Sequence, residues 1–402
     1  MITGLGAFTA AGRGISQLWE SACRGVSPAQ YFRPNEKKIK YLVCRASDPD
    51  NAGPEWSRVR HMDRSVQLAG AAAGEAWRDA GLESTEIPEG RSAIFAGTSR
   101  GPLGTILEAQ AHLEAGHQIR PSVATNSTIT SLSGVLSNVF AIDGMALTVS
   151  AACASGAAAI ALAAQQICSG AADIALAGGA EAPLHEILLA QLHSAGVMAS
   201  NPDPALACRP FDSSRNGTVI GEGAAFLVLE SLGSALRRGA RVYARLAGWA
   251  MNSEPAQRTG ISDHSDALQR TMRSAVGMAG LTFGELDYIN AHGTGTLLND
   301  RAESQAIALC NSGSKNIRTS STKAVVGHCM GAGSAIEAVI SVLALEHQTL
   351  PPSANCFEQA ADCPIDLVLG AAQPAVVRSV LSNSLGFWGN HASLVFQQPG
   401  GR

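Results

Sequence analysis

The sequence has few charged residues, few aromatic residues and no closely paired cysteines. Only 15% of its 402 residues are charged and 5% are aromatic, whereas 46% are apolar. Disordered chains are charged and poor in apolar residues, so this composition excludes a largely disordered protein. Low charge also indicates a surface that is partly covered, for example by a second subunit. The net charge of −4 lacks the basic excess that a nucleic-acid-binding face requires.

The nine cysteines are odd in number and show no CxxC spacing. A disulfide framework and a structural zinc site therefore do not fit the sequence. Free thiols are typical of a reducing compartment. The first residues, Met1 to Gly6, lack the basic segment and the long apolar segment of a secretory signal. We therefore expect a cytoplasmic protein.

One long stretch of the chain carries no charge. Asp, Glu, Lys and Arg are absent between Asp143 and Asp173, a length that could cross a membrane. The stretch consists mostly of Ala and Gly with interspersed Ser and Gln, rather than of Leu and Ile. This composition favours a buried strand, a turn and a closely packed helix over a membrane span.

Strand-like and helix-like segments alternate along the chain, which predicts an α/β fold with largely buried sheets. The first series has helices at Met62 to Ala80 and Ala154 to Ile167, and strands at Ser92 to Ala96, Ala146 to Val149, Asp173 to Ala177 and Ala224 to Leu229. The second has helices at Asp266 to Met278, Arg301 to Cys310 and Ser334 to Leu345, and strands at Tyr288 to Asn290, Ser379 to Leu381 and Ser393 to Phe396. Two similar series indicate an internal duplication, with halves at residues 1–235 and 236–402.

Cys153 lies in a tight turn of small residues, Thr148 to Gly156, that joins an apolar strand to a helix. A cysteine at this place faces the positive end of the helix dipole. We therefore expect a lowered thiol pKa and a reactive thiolate. A buried and inert cysteine is the alternative that the local pattern leaves open.

His292 lies in a second strand-to-helix junction, the glycine-rich loop Asn290 to Thr296, which Asp300 and Glu303 follow. Taken alone, a loop histidine that makes a structural hydrogen bond explains this pattern equally well. Ligands bind at such junctions at one edge of an α/β sheet, so we expect His292 to lie near Cys153.

His328 lies in a third junction, Lys323 to Gly333, at the start of a long helix. The helix dipole disfavours an imidazolium, so His328 should be neutral near pH 7 and able to donate a hydrogen bond. Lys323 and Glu337 flank the same turn and are expected to pair. The order of glycines and lysine does not match the GxxxxGK[ST] phosphate-binding loop.

These motifs resemble the β-ketoacyl synthases, the elongating condensing enzymes of type II fatty acid and polyketide synthesis in the thiolase superfamily. The resemblance spans nearly the whole chain and rests on several blocks in the family's order. The blocks are Thr3 to Gly6, the Cys153 turn, Arg209 to Asp212, Gly221 to Ala224, the two histidine motifs and Asn383 to Phe387.

The resemblance implies the thiolase-like fold, in which two duplicated α/β halves form a five-layered αβαβα sandwich, usually as a dimer of identical or homologous chains. It implies an acyl carrier protein as partner, in acyl and malonyl forms, and neither a metal nor another cofactor. Cys153 would accept the acyl chain as a thioester, and the decarboxylated malonyl group would then attack it.

The same resemblance assigns roles to individual residues. His292 and His328 would stabilise the enolate that decarboxylation forms, and a thiolate at Cys153 suits thioester exchange because it is a good nucleophile and leaving group. The backbone N–H groups of Cys153 and Phe387 would form an oxyanion hole, and Phe387 would act as a gate. Lys323 and Glu337 would hold the loop of His328.

The sequence departs from the family pattern around the gate. Trp388 follows Phe387 where the family has glycine, and His391 replaces an asparagine. A neighbouring loop, Asn252 to Thr259, has lost the family's Ser-Asp-Ala-x-His-Met-Thr pattern. With Thr294 and Thr296, the residues at 388 and 391 are expected to line the substrate pocket and gate. The altered lining points to an unusual acyl substrate.

Arg100 occupies a glycine-rich loop that reaches toward the acyl pocket in the family, at a position where a small or apolar residue is usual. An unpaired arginine in an apolar tunnel is unfavourable. Either Arg100 points away and pairs with a carboxylate, or it caps the tunnel and meets a polar acyl tail. Arg58, Arg60 and Arg64 form a candidate carrier-protein docking site, although an ordinary solvated helix start explains them as well.

Other members of the superfamily fit less well. A chain-length factor, the catalytically silent partner of an active synthase, lacks the nucleophilic cysteine that is present here at Cys153. Degradative thiolases use a second cysteine as the base, and initiating synthases use a Cys-His-Asn set. The second histidine, His328, argues against both.

Overall fold

Short strands and helices alternate along the chain in the computed structural model, which describes residues 1–34, 39–50, 52–83, 87–255, 265–311 and 317–400. The strands are β1 (Ile2–Thr9), β2 (Gly12–Arg13), β3 (Gln30–Phe32), β4 (Tyr41–Cys44), β5 (Ser92–Gly97), β6 (Ala146–Val149), β7 (Ile174–Glu181), β8 (Ile220–Gly221), β9 (Gly223–Glu230), β10 (Arg245–Ser253), β11 (Tyr288–Asn290), β12 (Arg318–Ser320), β13 (Thr349–Leu350), β14 (Asp366–Leu367), β15 (Gln373–Pro374), β16 (Ser379–Gly386) and β17 (Asn390–Gln397). The helices are α1 (Ile15–Arg24), α2 (Trp56–Val59), α3 (Arg64–Asp79), α4 (Leu103–Glu114), α5 (Val123–Asn126), α6 (Ser131–Phe140), α7 (Ser155–Cys168), α8 (Glu186–Ser194), α9 (Leu232–Arg237), α10 (Asp266–Met278), α11 (Leu297–Cys310), α12 (Lys323–Val326) and α13 (Met330–His347).

Two six-stranded sheets repeat one topology, which confirms the predicted duplication. The first has the order β2-β1-β9-β7-β5-β6, and the second the order β10-β17-β16-β11-β12-β14. The β1–β9 and β9–β7 pairs are antiparallel, whereas β7–β5 and β5–β6 are parallel. The corresponding pairs β10–β17, β17–β16, β16–β11 and β11–β12 follow the same sequence of directions. The exact division at residues 235 and 236 stays a prediction.

The two sheets enclose a central layer made of α7 and α13, and further helices cover their outer faces. One apolar core contains α7, α13 and the inner faces of both sheets, a second lies between the first sheet and α3, and a third lies between the second sheet and α10. This arrangement is the expected five-layered αβαβα sandwich. Within the described ranges, no helix combines the length and apolar composition needed to cross a membrane.

Small residues explain why α7 and α13 fit between two sheets. A Cβ atom at Gly156 would approach Ala335 closely, so the two helices touch almost backbone to backbone. The contact also carries a polar bond, because the Ala157 N–H donates to Ser334 Oγ at 2.9 Å. The uncharged Ala- and Gly-rich stretch is therefore the strand, turn and buried helix that its composition predicted.

The glycines near the amino terminus serve a similar close approach. A Cβ at Gly6 would overlap the Ala72 carbonyl oxygen of α3. Because the helix lies this close to β1, its Glu75 carboxylate accepts the Ala7 N–H at 2.9 Å. Burial raises the pKa of Glu75, and the backbone N–H bonds oppose that shift.

The long central helix begins earlier than its sequence pattern predicted. It starts at Met330 rather than Ser334, because the glycines in its first turn are packing positions rather than loop residues. A Cβ at Gly331 would overlap the Ser99 nitrogen and the Glu181 carboxylate. Likewise, α11 starts at Leu297 rather than Arg301.

Candidate active site

A strained turn presents Cys153 between β6 and α7. Ala152 has a left-handed backbone with φ of 51°, a conformation that costs a residue with a Cβ roughly 1–2 kcal/mol. Ser155 stabilises the turn, because its Oγ accepts the Ala151 N–H at 2.9 Å and donates to the Ala152 carbonyl at 2.6 Å. Cys153 itself is only 7% exposed.

The backbone of Phe387 contacts the Cys153 thiol. Phe387 begins a short turn between β16 and β17, and its backbone N–H lies close enough to the sulfur to lower the pKa of the thiol. The two turns touch because residue 386 is glycine: a Cβ there would lie 3.1 Å from the Cys153 nitrogen. The backbone N–H groups of Cys153 and Phe387 are thus close neighbours.

The expected low pKa of the Cys153 thiol is wrong for this structure. Burial raises the pKa of Cys153 to about 12, while Lys323 and the Phe387 N–H oppose the shift. The sequence argument considered the helix dipole alone and could not include the loss of solvent around the sulfur. The Cys153 thiol of the unliganded chain is therefore protonated near pH 7.

His292 is fixed by two charged side chains. The carboxylate of Glu303, on α11, accepts the N–H groups of His292 and Gly293, each at 2.8 Å. Lys323 Nζ lies 3.2 Å from His292 Nδ1. An ammonium group only donates, so Nδ1 accepts and the ring proton resides on Nε2. Burial, and then the charge of Lys323, lower the pKa of His292 well below 6.5, so the ring is neutral at pH 7.

His328 faces His292 from the short connection between α12 and α13. The two rings form an edge-to-face pair with centroids 5.4 Å apart. The His328 backbone is tied to β8, since its N–H donates to Val219 at 2.7 Å and its carbonyl accepts from Gly221 at 3.1 Å. Burial, and then Lys323, lower the pKa of His328 to about 3. The predicted neutral imidazole is confirmed, but its main cause is burial rather than the helix dipole.

Lys323 and Glu337 form the predicted ion pair, with each side chain only 1% exposed. Burial raises the pKa of Glu337 to about 7, and Lys323 opposes the shift. The expectation that the pair holds the loop of His328 needs correction, because its direct contact is with the His292 ring. The loop of His328 is held by backbone bonds to β8 instead.

Thr294 and Thr296 follow His292 in the same loop. Their hydroxyl groups lie 2.9 Å apart, and Thr296 directly precedes α11. Thr294 is 6% exposed, whereas Thr296 is half-buried. Thr296 is therefore the more accessible of the two hydroxyl groups.

Glu181 ties the loop of Arg100 to α13, a contact that the sequence analysis missed. Its carboxylate accepts the Arg100 N–H at 2.9 Å and the Gly331 N–H at 3.0 Å. The available signal was a lone carboxylate at the end of the otherwise apolar strand β7. The Arg100 side chain is exposed, and no carboxylate among the described residues forms the expected ion pair with it.

His391 contacts a second buried carboxylate beside the gate. His391 Nε2 lies 3.1 Å from Glu254 Oε2, and Ser265 Oγ donates to the same oxygen at 3.2 Å. Burial lowers the pKa of His391, and Glu254 opposes that shift. Trp388 is 67% exposed, next to Phe387. Of the altered loop predicted at Asn252 to Thr259, residues 256–259 lie outside the described residues.

The three docking arginines have different surroundings. Arg64 is bound by Glu222 at 2.7 Å and by Asp48 at 2.8 Å, so it serves as the counter-charge of the buried Glu222 carboxylate, and its role in docking stays a prediction. Arg58 donates to the Val139 carbonyl at 2.9 Å at the end of α6. Arg60 is exposed just before α3.

Comparison with known proteins agrees with this fold. The beta-ketoacyl synthase N-terminal domain matches residues 1–235, and the beta-ketoacyl synthase C-terminal domain matches residues 243–357. The chain therefore belongs to the β-ketoacyl synthase family, with its thiolase-like fold.

Individual relatives match over almost the whole chain. The 3-oxoacyl-[acyl-carrier-protein] synthase 2 of Staphylococcus aureus is 32% identical over 99% of this chain and 100% of its own length. The ishigamide ketosynthase/chain length factor structure is 36% identical, with a TM-score of 0.91 over 99% of this chain and 98% of that chain. A type II PKS acyl-carrier protein in complex with its ketosynthase bound to the hexaketide gives 27% identity, a TM-score of 0.89 and coverage of 99% and 98%.

Proposed function

We propose that this chain is a β-ketoacyl-acyl carrier protein synthase that extends an acyl chain by decarboxylative condensation with malonyl carrier protein. The observation that carries the proposal is a chain of neighbours: Lys323 acts on the pKa of the buried Cys153 thiol and contacts His292, whose ring packs against the neutral His328. Such a site holds a thioester and stabilises an oxyanion without supplying a strong acid.

In the first half-reaction, Cys153 Sγ attacks the thioester carbonyl of an acyl carrier protein. The carbon–sulfur bond to the carrier breaks, and the thiol proton of Cys153 leaves with the carrier thiol. The adjacent N–H groups of Cys153 and Phe387 are the donors for the oxyanion of the tetrahedral intermediate. Their closeness follows from glycine at position 386.

In the second half-reaction, malonyl carrier protein loses carbon dioxide, and the electron pair of the broken carbon–carbon bond forms an enolate. His292 offers Nε2–H because Lys323 occupies its Nδ1 side. His328, neutral beside it, supplies the second donor. The enolate carbon then attacks the acyl-Cys153 carbonyl, and the acyl–sulfur bond breaks to expel the Cys153 thiolate. The thiolate takes up one proton from solvent to regenerate the thiol as the β-ketoacyl carrier protein leaves.

The two half-reactions allow a direct test. Cys153→Ala should abolish acyl loading, measured by intact-mass spectrometry, and keep malonyl decarboxylation because both histidines remain. His328→Ala should reduce decarboxylation by about a hundred- to a thousandfold, the usual effect of removing one oxyanion donor. Acyl groups mapped to a different cysteine, or decarboxylation unaffected in His328→Ala, would refute the proposal. The silent chain-length-factor alternative predicts no acyl loading at all.

We propose an acidic acyl carrier protein as partner and a dimer as the working form. The docking proposal rests on Arg60, with Arg58 beside it, because both are exposed near the start of α3.

The dimer proposal rests on apolar side chains along the edge strand β6 and its neighbours: Ile106, Ile129, Met145 and Leu147 are each 45–47% exposed. Native mass spectrometry of the chain, alone and with a homologue, would separate a homodimer from a heterodimer.

We also propose a cytoplasmic location. Support comes from the free state of all nine cysteines, which fits a reducing compartment. Fractionation of cells, with the chain followed by antibody, tests this point.

We further propose that the acyl pocket accepts an unusual acyl group. The residues assigned to this pocket are Arg100, Trp388, His391, Thr294 and Thr296.

A further inference from the structure

The turn that carries Phe387 has a backbone conformation that needs support. Trp388 has φ of 63° and ψ of 25°, the left-handed region that residues with a Cβ rarely adopt. Gly389 follows with φ of 69°, a conformation that glycine adopts without steric cost. The turn would relax at Trp388 unless surrounding contacts held it, and relaxation would move the neighbouring Phe387 N–H away from Cys153.

Contacts on both sides hold this turn. Within the turn itself, Asn390 Nδ2 donates to the Phe387 carbonyl at 2.9 Å. From outside, the Glu254 N–H donates to the Gly389 carbonyl at 2.8 Å. The contact is close, because a Cβ at Gly389 would overlap the Glu254 carbonyl oxygen. The position of the turn therefore depends on the position of Glu254.

Glu254 is in turn held by buried polar groups. Its carboxylate lies 3.1 Å from His391 Nε2 and 3.2 Å from Ser265 Oγ. His391 is 3% exposed and Glu254 is 9% exposed, so solvent does not replace these bonds readily. Strands β10 and β17 pair beside this point, where Ser253 faces Asn390, so the His391–Glu254 bond adds a side-chain contact to the backbone ladder next to the turn.

We propose that His391 and Glu254 are positioning residues that keep the Phe387 N–H on Cys153 by holding the turn 387–389 in its left-handed conformation. Neither residue touches the reacting atoms; both act through the turn. The inference rests on the proposed function. It predicts a specific defect: acyl transfer, which uses the Phe387 N–H, depends on this pair, whereas malonyl decarboxylation, which uses His292 and His328, does not.

The test compares both half-reactions in His391→Leu and Glu254→Ala. Acyl loading is measured by intact mass with butyryl and hexanoyl carrier protein, and decarboxylation is measured with malonyl carrier protein. We expect loading to slow at least about tenfold and decarboxylation to stay within about twofold. Equal loss of both activities, or unchanged loading, would overturn the proposal.

Matched variants separate positioning from general stability. His391→Gln keeps a donor near the Nε2 position, so it should restore most of the loading rate. Trp388→Gly removes the left-handed penalty at an exposed position and should rescue loading in the His391→Leu background. If His391→Leu does not fold, Glu254→Ala combined with Trp388→Gly serves instead: the single Glu254→Ala variant should load slowly and the double variant faster.

The outcomes also distinguish this inference from the proposed function. The positioning role alone is refuted if the wild-type protein loads acyl groups on Cys153 and His391→Leu and Glu254→Ala load equally fast. A wild-type protein that loads no acyl group on Cys153 refutes the proposed function itself. Failure of Trp388→Gly to improve loading in either background contradicts the role assigned to backbone strain.

Discussion

Lys323 Nζ lies 3.2 Å from His292 Nδ1, and the same ammonium group pairs with the buried Glu337 carboxylate. One cation thereby satisfies a carboxylate and fixes the tautomer of a proposed catalytic ring. Lys323 thus contributes both to the stability of the fold and to the state of the His292 ring. Substituting Lys323 alone, or Lys323 together with Glu337, separates these two contributions.

The first prediction separates them. Lys323→Met leaves Glu337 buried without a counter-charge and should lower the free energy of unfolding by about 3–5 kcal/mol. The double variant Lys323→Met/Glu337→Leu should recover most of that stability but still decarboxylate malonyl carrier protein slowly, because His292 has lost its Nδ1 donor. Thermal unfolding and a decarboxylation assay check both parts. Wild-type decarboxylation by the double variant would limit the pair to a structural role.

The second prediction concerns the pH dependence of decarboxylation. The pKa of His328 is lowered to about 3 and that of His292 lies well below its ordinary value, so both rings stay neutral far into the acid range. In Cys153→Ala, the rate should therefore show no histidine limb between about pH 5 and 8, where an ordinary histidine titrates. A fall in rate centred near pH 6.5 would show that a catalytic ring is solvated.

The third prediction concerns the reactivity of the nucleophile. Because burial raises the pKa of the Cys153 thiol to about 12, its thiolate fraction should rise about tenfold per pH unit through the neutral range. Alkylation by iodoacetamide, followed by peptide mass mapping at Cys153, should accelerate in the same way without a plateau below about pH 9. Cys153→Ser gives the background from the other cysteines. A plateau near neutrality would mean that the helix and the Phe387 N–H outweigh burial.

The fourth prediction concerns carrier-protein docking. Arg60→Glu should raise KM for acyl carrier protein about three- to tenfold and weaken the salt dependence of the rate, since steering between charges is screened by ions. Arg378→Glu, exposed just before β16 at the strand end opposite the gate, is the matched control. A small-molecule acyl thioester should react equally with both variants. An equal effect of the two substitutions on carrier protein would place docking elsewhere.

The fifth prediction concerns Arg100. Its exposed side chain has no carboxylate partner among the described residues, so we expect it to select the acyl chain rather than to stabilise the fold. Arg100→Ile should lengthen the apolar chains that load on Cys153, and Arg100→Lys should keep the wild-type profile. Acyl-enzyme masses measure both. An unchanged profile in Arg100→Ile would remove the residue from the pocket.

The elements that position the site were predictable because they follow local patterns. The Cys153 turn, the His292 loop and the His328 junction each join an apolar strand or short helix to a periodic helix. Periodicity revealed these helices but placed the starts of α11 and α13 too late. The helix at Asp266–Met278 and the strand at Tyr288–Asn290 have their predicted bounds. The resemblance added the roles, which no local pattern contains.

What escaped prediction depends on distant contacts. Three contacts join segments that are far apart in the chain: the Glu254–His391 bond, the bond from the Arg100 N–H to Glu181, and the ion pair between Arg64 and Glu222. The predicted direction of the Cys153 pKa shift was wrong for a related reason. The helix dipole can be inferred from the local sequence, whereas burial of the thiol depends on the whole fold. Residue type indicates which groups can bond, and only the fold decides which ones meet.

The two central helices place reactive residues at equivalent points of the two repeats. Cys153 precedes the first residue of its helix, Ser155, by two positions, and His328 precedes Met330 by two. Under the proposed function, one repeat supplies the attacking sulfur and the other a hydrogen-bond donor for the enolate. The close Gly156–Ala335 contact fixes the two helices relative to each other. Trp388, in contrast, is exposed to solvent. A substitution at Trp388 would therefore change the exposed surface beside the site and the conformation of the Phe387 turn together, because Trp388 belongs to that turn.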